Sequence, residues 1–471
     1  MNFIVIMCDT LRADHVGAYG PGLAKTPNLD KFAGSATLFR NAYVGSWATV
    51  PNRTDLFTGR YGEPFHRWRP LSYTDVTMPE VFRKAGYATQ LINDTPHLIN
   101  YGFGFDRPFN CWWMIRGNEV DRCMTDHHAY EAGCRDDMRR ADKWETQYRR
   151  NTRNRPEREQ DRFSPQVMTA ACNWLENNYK NDGFFLWVDC FDPHEPFDPP
   201  QHYVDMYDPG YDGEVITNFF ERDNIKPREI KHIRARYAGM VTMVDTWVGK
   251  VIDKIEALGI ADDTVVTICS DHGTGLGDHY HIHKHMPIYE ENGHIVFMVR
   301  APGSGNPGSH SDALVQPADL MPTLLELAGL EADYKPQGKS LVQAFADPEF
   351  SPREVSISSM EPQVKGIRPV SVNDGEWTYV HHVMPEPNEL YHTKNDRAQK
   401  NNVIEQHPEV VERLRKAMFK HFEEVADTPD WILESYRAQK DMQELPQLSH
   451  EEARIREQSL RADNFYKSNL Y

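Results

Sequence analysis

Three groups of residues in this chain carry side chains that could do chemistry together. The stretch "GSWATVPNRTDLFTGRYG", residues 45–62, sets Thr49 two positions ahead of Pro51 and four ahead of Arg53. Asp9 directly follows one apolar run, and "SDHGTGLGDH", residues 270–279, puts Asp271 and His272 directly after another. Two carboxylates and one imidazole could hold a divalent cation and leave room for a substrate oxygen and an attacking group. Pro51 suits the first turn of a helix, so Thr49 lies beside a helix N-terminus, where free N–H groups and the macrodipole favour an anion. A threonine hydroxyl is a weak nucleophile until a cation lowers its pKa, and an arginine can grip a tetrahedral oxyanion with two donors. Plainer readings stand beside these. An aspartate after a strand serves as a turn residue, Thr49 or Thr54 would cap the helix, and Arg53 would pair with a surface acid.

These residues need a scaffold that brings them together. Apolar runs at residues 3–7, 184–188, 264–268 and 295–299 read as strands buried on both faces. Helical patterns lie between them, at residues 79–86 and 237–259 among others, and both of these end at glycine. Strands alternating with helices predict an alkaline-phosphatase-like, doubly wound and mostly parallel α/β sheet with helices on both faces. In such sheets the ligand crevice lies outside the carboxyl ends of the strands. Asp9, "DCFDPHEP" (residues 189–196) and "SDHG" would converge there. The expected division is a catalytic domain over 1–345, carrying a charged, solvated insertion at about 121–162, and a small antiparallel sheet with a helix and charged tail over 353–471. The aromatics of "CWWMIRG", residues 111–117, would either wall a pocket or fill a core.

Composition narrows the partners. The chain has 471 residues, 39% of them hydrophobic, and a formal charge of −18. Such a charge repels a phosphate backbone, so nucleic acid is excluded as a partner and any anion site must be locally positive. No apolar stretch nears the ~20 residues that cross a bilayer, so no membrane partner is expected. Three of the seven cysteines, Cys8, Cys190 and Cys269, fall in strand-like runs and read as reduced core thiols. With no cationic leader before the first apolar run, they point to the cytoplasm. A homo-oligomer stays open.

Six stretches carry a resemblance: "IVIMCDTLRADHVGAYG", "TPNLDKFAGSATLFRNAYV", "TVPNRTDLFTGRY", "DPHEP", "DDTVVTICSDHGTGLGDH" and "HKHMPIYEE". In this order and spacing the chain resembles the sulfatase family of the alkaline phosphatase superfamily, and "NELYHTKNDRAQKNNV" resembles that family's closing segment. The resemblance implies a metal-dependent hydrolase of small-molecule sulfate, phosphate or phosphonate esters. It implies Asp9, Asp271 and His272 as metal ligands, and Thr49 as both ligand and nucleophile. Arg53 would steady the nucleophile and the bound anion. Lys284 would contact substrate oxygens, or His285 if the loop is offset by one residue. His194 would bind the ester or protonate the leaving group, with His97 or His279 beside it.

Departures from the family pattern shape the expected chemistry. Family sulfatases carry a cysteine or serine that is oxidised to formylglycine, and position 49 is threonine, which cannot become that aldehyde. Without a geminal diol, sulfate cannot leave by hemiacetal collapse. A phosphothreonine can be hydrolysed by water at phosphorus, which favours phosphodiester, phosphonate or phosphate esters over sulfate esters. The alternatives are a sulfatase working without formylglycine and a non-catalytic metal- or anion-binding relative. Thr10 replaces the second aspartate of the usual pair and His272 the usual asparagine, which shifts the expected cation from calcium or magnesium toward manganese or zinc. In "INDTPHL", His97 keeps the family histidine. Asp94 stands for the lysine, as a metal or substrate-hydroxyl contact or as a turn residue before Pro96.

Overall fold

The computed structural model describes residues 1–20, 22–62, 68–125, 143–152, 155, 158–216, 225–303, 307–360, 369–382 and 387–425. The expected charged tail beyond 425 and much of the 121–162 insertion lie outside the described residues.

The chain forms β1 (Asn2–Cys8), β2 (Thr37–Ala42), β3 (Ser46–Trp47), β4 (Ala88–Asn93), β5 (Cys111–Met114), β6 (Phe184–Cys190), β7 (Thr264–Ser270), β8 (Gly275–Leu276), β9 (Ile282–His283), β10 (Phe297–Arg300) and β11 (His310–Val315). Eight of these build one sheet in the order β11-β2-β10-β7-β1-β6-β4-β5. β1 lies at its centre, parallel to β6 and to β7. β10 alone runs against its neighbours, antiparallel to both β2 and β7. The apolar run at 295–299 therefore marks a buried strand but not its direction, because burial on both faces does not depend on orientation.

β1 shows why the sheet must be covered twice. Ile4, Ile6 and Cys8 join one apolar layer, with the long Pro227–Ala257 helix and the Phe163–Asn178 helix. Phe3, Val5 and Met7 point the other way, into a layer that includes Val50, Leu56 and Phe57 of the Thr49–Thr58 helix. Alternate side chains of a strand face opposite sides, so a run without polar interruptions needs helices on both. Cys8, Cys190 and Cys269 are buried with free thiols.

A second sheet, ordered β15-β14-β13-β12-β3, uses β12 (Ser356–Met360), β13 (Val370–Asn373), β14 (Thr378–His381) and β15 (Glu389–Tyr391). The Pro408–Val425 helix packs on it through Leu414, Met418 and Phe422. The fourth neighbour pair is the unexpected one: β3, immediately before Thr49, pairs in parallel with β12. The small sheet thus reaches the strand that leads into Thr49, which the sequence did not suggest, because a two-residue strand has no readable period.

Candidate active site

Each expected ligand sits at a carboxyl strand end. Asp9 follows β1, Asp271 follows β7, and both are fully buried. Their backbones are fixed by adjacent strands: the Asp9 N–H donates to the Cys190 carbonyl at 2.8 Å. Thr10, where the family has an aspartate, instead orients the other two acids. Its N–H donates to Asp271 at 2.9 Å and its hydroxyl to Asp9 at 2.7 Å. Gly273 follows because the chain passes so close to the Glu291 carbonyl that an added Cβ would lie 2.0 Å from that oxygen.

His272 is aimed by its own backbone. Its Nδ1 donates to the Gly273 carbonyl at 2.8 Å, which leaves Nε2 as a lone-pair donor facing the acids. Burial pushes this ring down to about 4, so it is neutral and able to bind a cation. Nε2 lies 3.8 Å from Asp9 and 3.5 Å from Asp271. One donor atom from each of the three residues fits within a 4.8 Å span. Oδ1 of Asn52 is buried without a hydrogen-bond partner, and Oδ2 of Asp9 faces Arg53 at 3.0 Å. An orphaned oxygen beside two carboxylates and an imidazole is the chemistry a divalent cation would satisfy, so these residues fit one.

Thr49 opens the Thr49–Thr58 helix, with its Oγ1 at 3.4 Å from Nε2 of His272. It does not cap the helix, and Thr54 donates instead to the Val50 carbonyl. Asn52 ties the same helix to the ligand loop through a 2.9 Å bond to the Asp271 carbonyl.

Arg53 is wholly buried and meets three acids: Asp9 at 3.0 Å, Asp189 at 2.9 Å, and Asp271 in a very short contact. It is therefore no surface partner. All of its donors face carboxylates, so it holds the acid cluster together before it could hold any oxyanion. Three carboxylates face this one guanidinium, an excess of acid that a cation would reduce. Burial and the neighbouring Asp271 raise Asp9 well above the ordinary carboxylate range, while Arg53 and His272 outweigh burial at Asp271 and lower it.

Lys284 and His194 form a second unit. Nζ of Lys284 donates to Nε2 of His194 at 2.5 Å, and Nδ1 of His194 donates to the Glu195 carbonyl at 2.7 Å. Burial drives His194 down to about 4, so it is a neutral acceptor and the proton of the pair rests on lysine. Burial would lower Lys284 too, but Glu195, Asp9 and Glu119 outweigh it and hold the ammonium charged. His285 points elsewhere, with Nε2 at 3.2 Å from Glu291. Lys284, not its neighbour, faces the site.

Three other expected contacts have partners within the protein. Both oxygens of Asp94 accept hydrogen bonds, from Phe191 N–H at 2.7 Å and from Asn118 at 2.9 Å, so it fastens a loop to the end of β6. His279 lies between Glu291 at 2.8 Å and the Gln399 carbonyl at 2.9 Å, which leaves neither nitrogen for an ester. His97 pairs with Glu119 at 2.6 Å. Trp112 and Trp113 of "CWWMIRG" are exposed, not core. Sequence reasoning assigned no role to Asp189, Glu119 or Glu195. Asp189, as an acid inside an otherwise apolar buried strand, and Glu195, inside the 189–196 stretch, carried a signal; Glu119 carried none.

A hydroxyl, an ammonium and a triad able to hold a cation, gathered at the carboxyl edge of an α/β sheet, are the parts of a hydrolase acting on ester bonds. The chain belongs to the sulfatase family, whose description matches residues 1–330. Residues 277–427 match the description "N-sulphoglucosamine sulphohydrolase, C-terminal". It is 26% identical to an arylsulfatase of Clostridium perfringens over 72% of this chain and 77% of that one. It is 24% identical to iduronate 2-sulfatase of Homo sapiens, over 78% of this chain and 79% of the relative. Its fold is like that of a phosphonate monoester hydrolase of Agrobacterium radiobacter, with a TM-score of 0.73 at 20% identity, covering 90% of this chain and 96% of that one. No helix among the described residues is long and apolar enough to cross a membrane.

Proposed function

We propose that this chain hydrolyses small-molecule phosphodiester, phosphonate or phosphate esters, with Thr49 as the nucleophile and Asp9, Asp271 and His272 as the ligands of one divalent cation. The observation that carries this reading is the position of the Thr49 hydroxyl, at a helix start and 3.4 Å from Nε2 of His272. Manganese or zinc suits the imidazole-containing set better than calcium or magnesium. When bound, the cation lowers the pKa of a nearby hydroxyl and neutralises developing negative charge.

The protein's own groups account for the rest. Thr10 and Arg53 hold the carboxylates in place. The N-terminal N–H groups of the Thr49–Thr58 helix favour the anionic group under attack. Lys284, its proton held against His194, sits where it can stabilise a substrate oxygen and deliver a proton to the departing alkoxide. Asp94, His97 and His279 enter as supports through their protein partners. Reduced thiols favour a cytoplasmic setting, and residues 1–345 and 353–471 are taken as the catalytic domain and its C-terminal partner.

The relatives named as sulfatases favour a second reading, sulfate ester hydrolysis without formylglycine. Parallel kinetics on an aryl sulfate, an aryl phosphate and a phosphonate monoester separate the two. The phosphorus esters should turn over faster. Sulfate turnover dominating by orders of magnitude overturns the substrate assignment, and no turnover of any of the three supports a non-catalytic, anion-binding protein.

A further inference from the structure

A cleft opens beside His194, lined also by Asn118, Tyr148, Arg155, Arg162 and Asp192. It has an unusual charge for a chain this acidic. Three guanidinium groups converge on the single carboxylate of Asp198: Arg162 at 3.0 Å, and Arg155 and Arg236 at 3.4 Å each. Tyr148, itself buried, adds a hydroxyl 3.3 Å from the same acid. Asp192 accepts the Ser164 N–H at 3.1 Å and, in a site that desolvates it, stays above the ordinary carboxylate range. Two acids, Asp198 and Asp192, therefore face three arginines. Among the described residues, Nη1 of Arg155 and Nε of Arg162 are buried without a hydrogen-bond partner. Arg155 is also held over the ring of Phe163 at 4.8 Å, which orients its plane in advance.

Buried donors without acceptors cost stability unless something supplies the acceptor. Surplus positive charge in a recess with low-dielectric walls attracts an anion. The recess shares His194 with the Lys284 pair, so whatever fills it lies against the ring that holds that lysine.

We infer that Arg155 and Arg162 form a second anion subsite, which takes a carboxylate, sulfate or phosphate group carried by the leaving alcohol of the substrate. The inference rests on the ester hydrolase reading and narrows it to esters whose leaving group is itself anionic. Asp198 keeps the arginines aligned, and the incoming group accepts the donors that Asp198 does not reach.

The probes are the phenyl and 3-carboxyphenyl esters of phosphate, sulfate and methylphosphonate, compared in the full-length protein and in Arg155→Gln, Arg162→Gln and Arg162→Lys. Wild type should bind the carboxyphenyl ester more tightly than the phenyl ester. Each glutamine variant should raise KM for the carboxyphenyl ester about tenfold and leave kcat/KM for the phenyl ester within about twofold, with Arg162→Lys in between. An equal change for both esters, or no change for either, overturns the subsite. If wild type turns over none of the esters, the hydrolase reading fails by itself. Calorimetric titration with benzene-1,3-disulfonate then decides the subsite alone: saturable binding lost in the glutamine variants supports it, and no binding to wild type contradicts it.

Discussion

The molecule buries two acid-centred clusters, and they are built in opposite ways. Around Glu389, every acidic oxygen has a donor: Tyr289 at 2.9 Å, His382 at 2.9 Å and the Tyr391 hydroxyl at 2.5 Å. Around Asp9, three carboxylates crowd one arginine, and Oδ1 of Asn52 lacks a hydrogen-bond partner. The first cluster is complete within the protein and joins β15 to the Tyr289 loop. The second holds more acid than its own donors balance, which a cation would offset. Buried polar groups that the fold leaves unsatisfied mark a place where stability has yielded to binding.

Removing an acid from each cluster should therefore have opposite consequences. Asp9→Asn should cut turnover by about 10³-fold or more and abolish tight metal binding, while the metal-free protein melts at the same or a higher temperature, because a repelling charge has gone. Metal analysis and thermal unfolding in chelator check this. A marked loss of metal-free stability would place Asp9 in the same structural class as Glu389. Glu389→Ala should destabilise by about 2–4 kcal/mol, since two tyrosine hydroxyls and an imidazole lose their partner. Its turnover per folded molecule should stay within about twofold, measured by denaturant unfolding alongside kinetics.

The acid response separates the clusters further. Burial lowers His194 to about 4, so the folded protein refuses a proton that the unfolded chain accepts from about pH 6.5 downward. Stability is therefore lost as pH falls from about 6.5 to 4. His194→Gln should remove about 1–3 kcal/mol of that loss, read from unfolding free energies at pH 7 and pH 4.5. An unchanged difference between the two pH values would mean that the ring is protonated in the fold. The smallest effect is expected at His279, whose nitrogens already serve Glu291 and Gln399. His279→Gln should cost about 1 kcal/mol or less and leave kcat/KM unchanged, and a large fall in kcat alone would return it to the site.

What the sequence made legible follows from periodicity and punctuation. Asp9, Asp271 and His272 were readable because each ends an unbroken apolar run, and strand ends of such sheets share one edge. Thr49 and Arg53 were readable from the proline that starts a helix and from the family resemblance. Four strands of the eight-stranded sheet were visible as apolar runs, but not the reversal of β10 or the joining of β3 to β12, since both depend on long-range pairing that a local pattern does not encode. The roles of Glu119 and Glu195 were hidden because these acids act by pairing with His97 and with the Lys284–His194 unit, across 22 and about 90 positions of chain. The same reason separates His279 from the site. A histidine in a loop crowded with ligands looks like one of them until its partners are known.

The central claim is that the Thr49 hydroxyl attacks the substrate while the cation site forms without it. Thr49→Ala, assayed for bound metal and for turnover on the best of the three ester classes, tests it most directly. The account predicts wild-type metal content with turnover reduced by about 10³-fold or more; turnover retained by a variant with full metal content would contradict it.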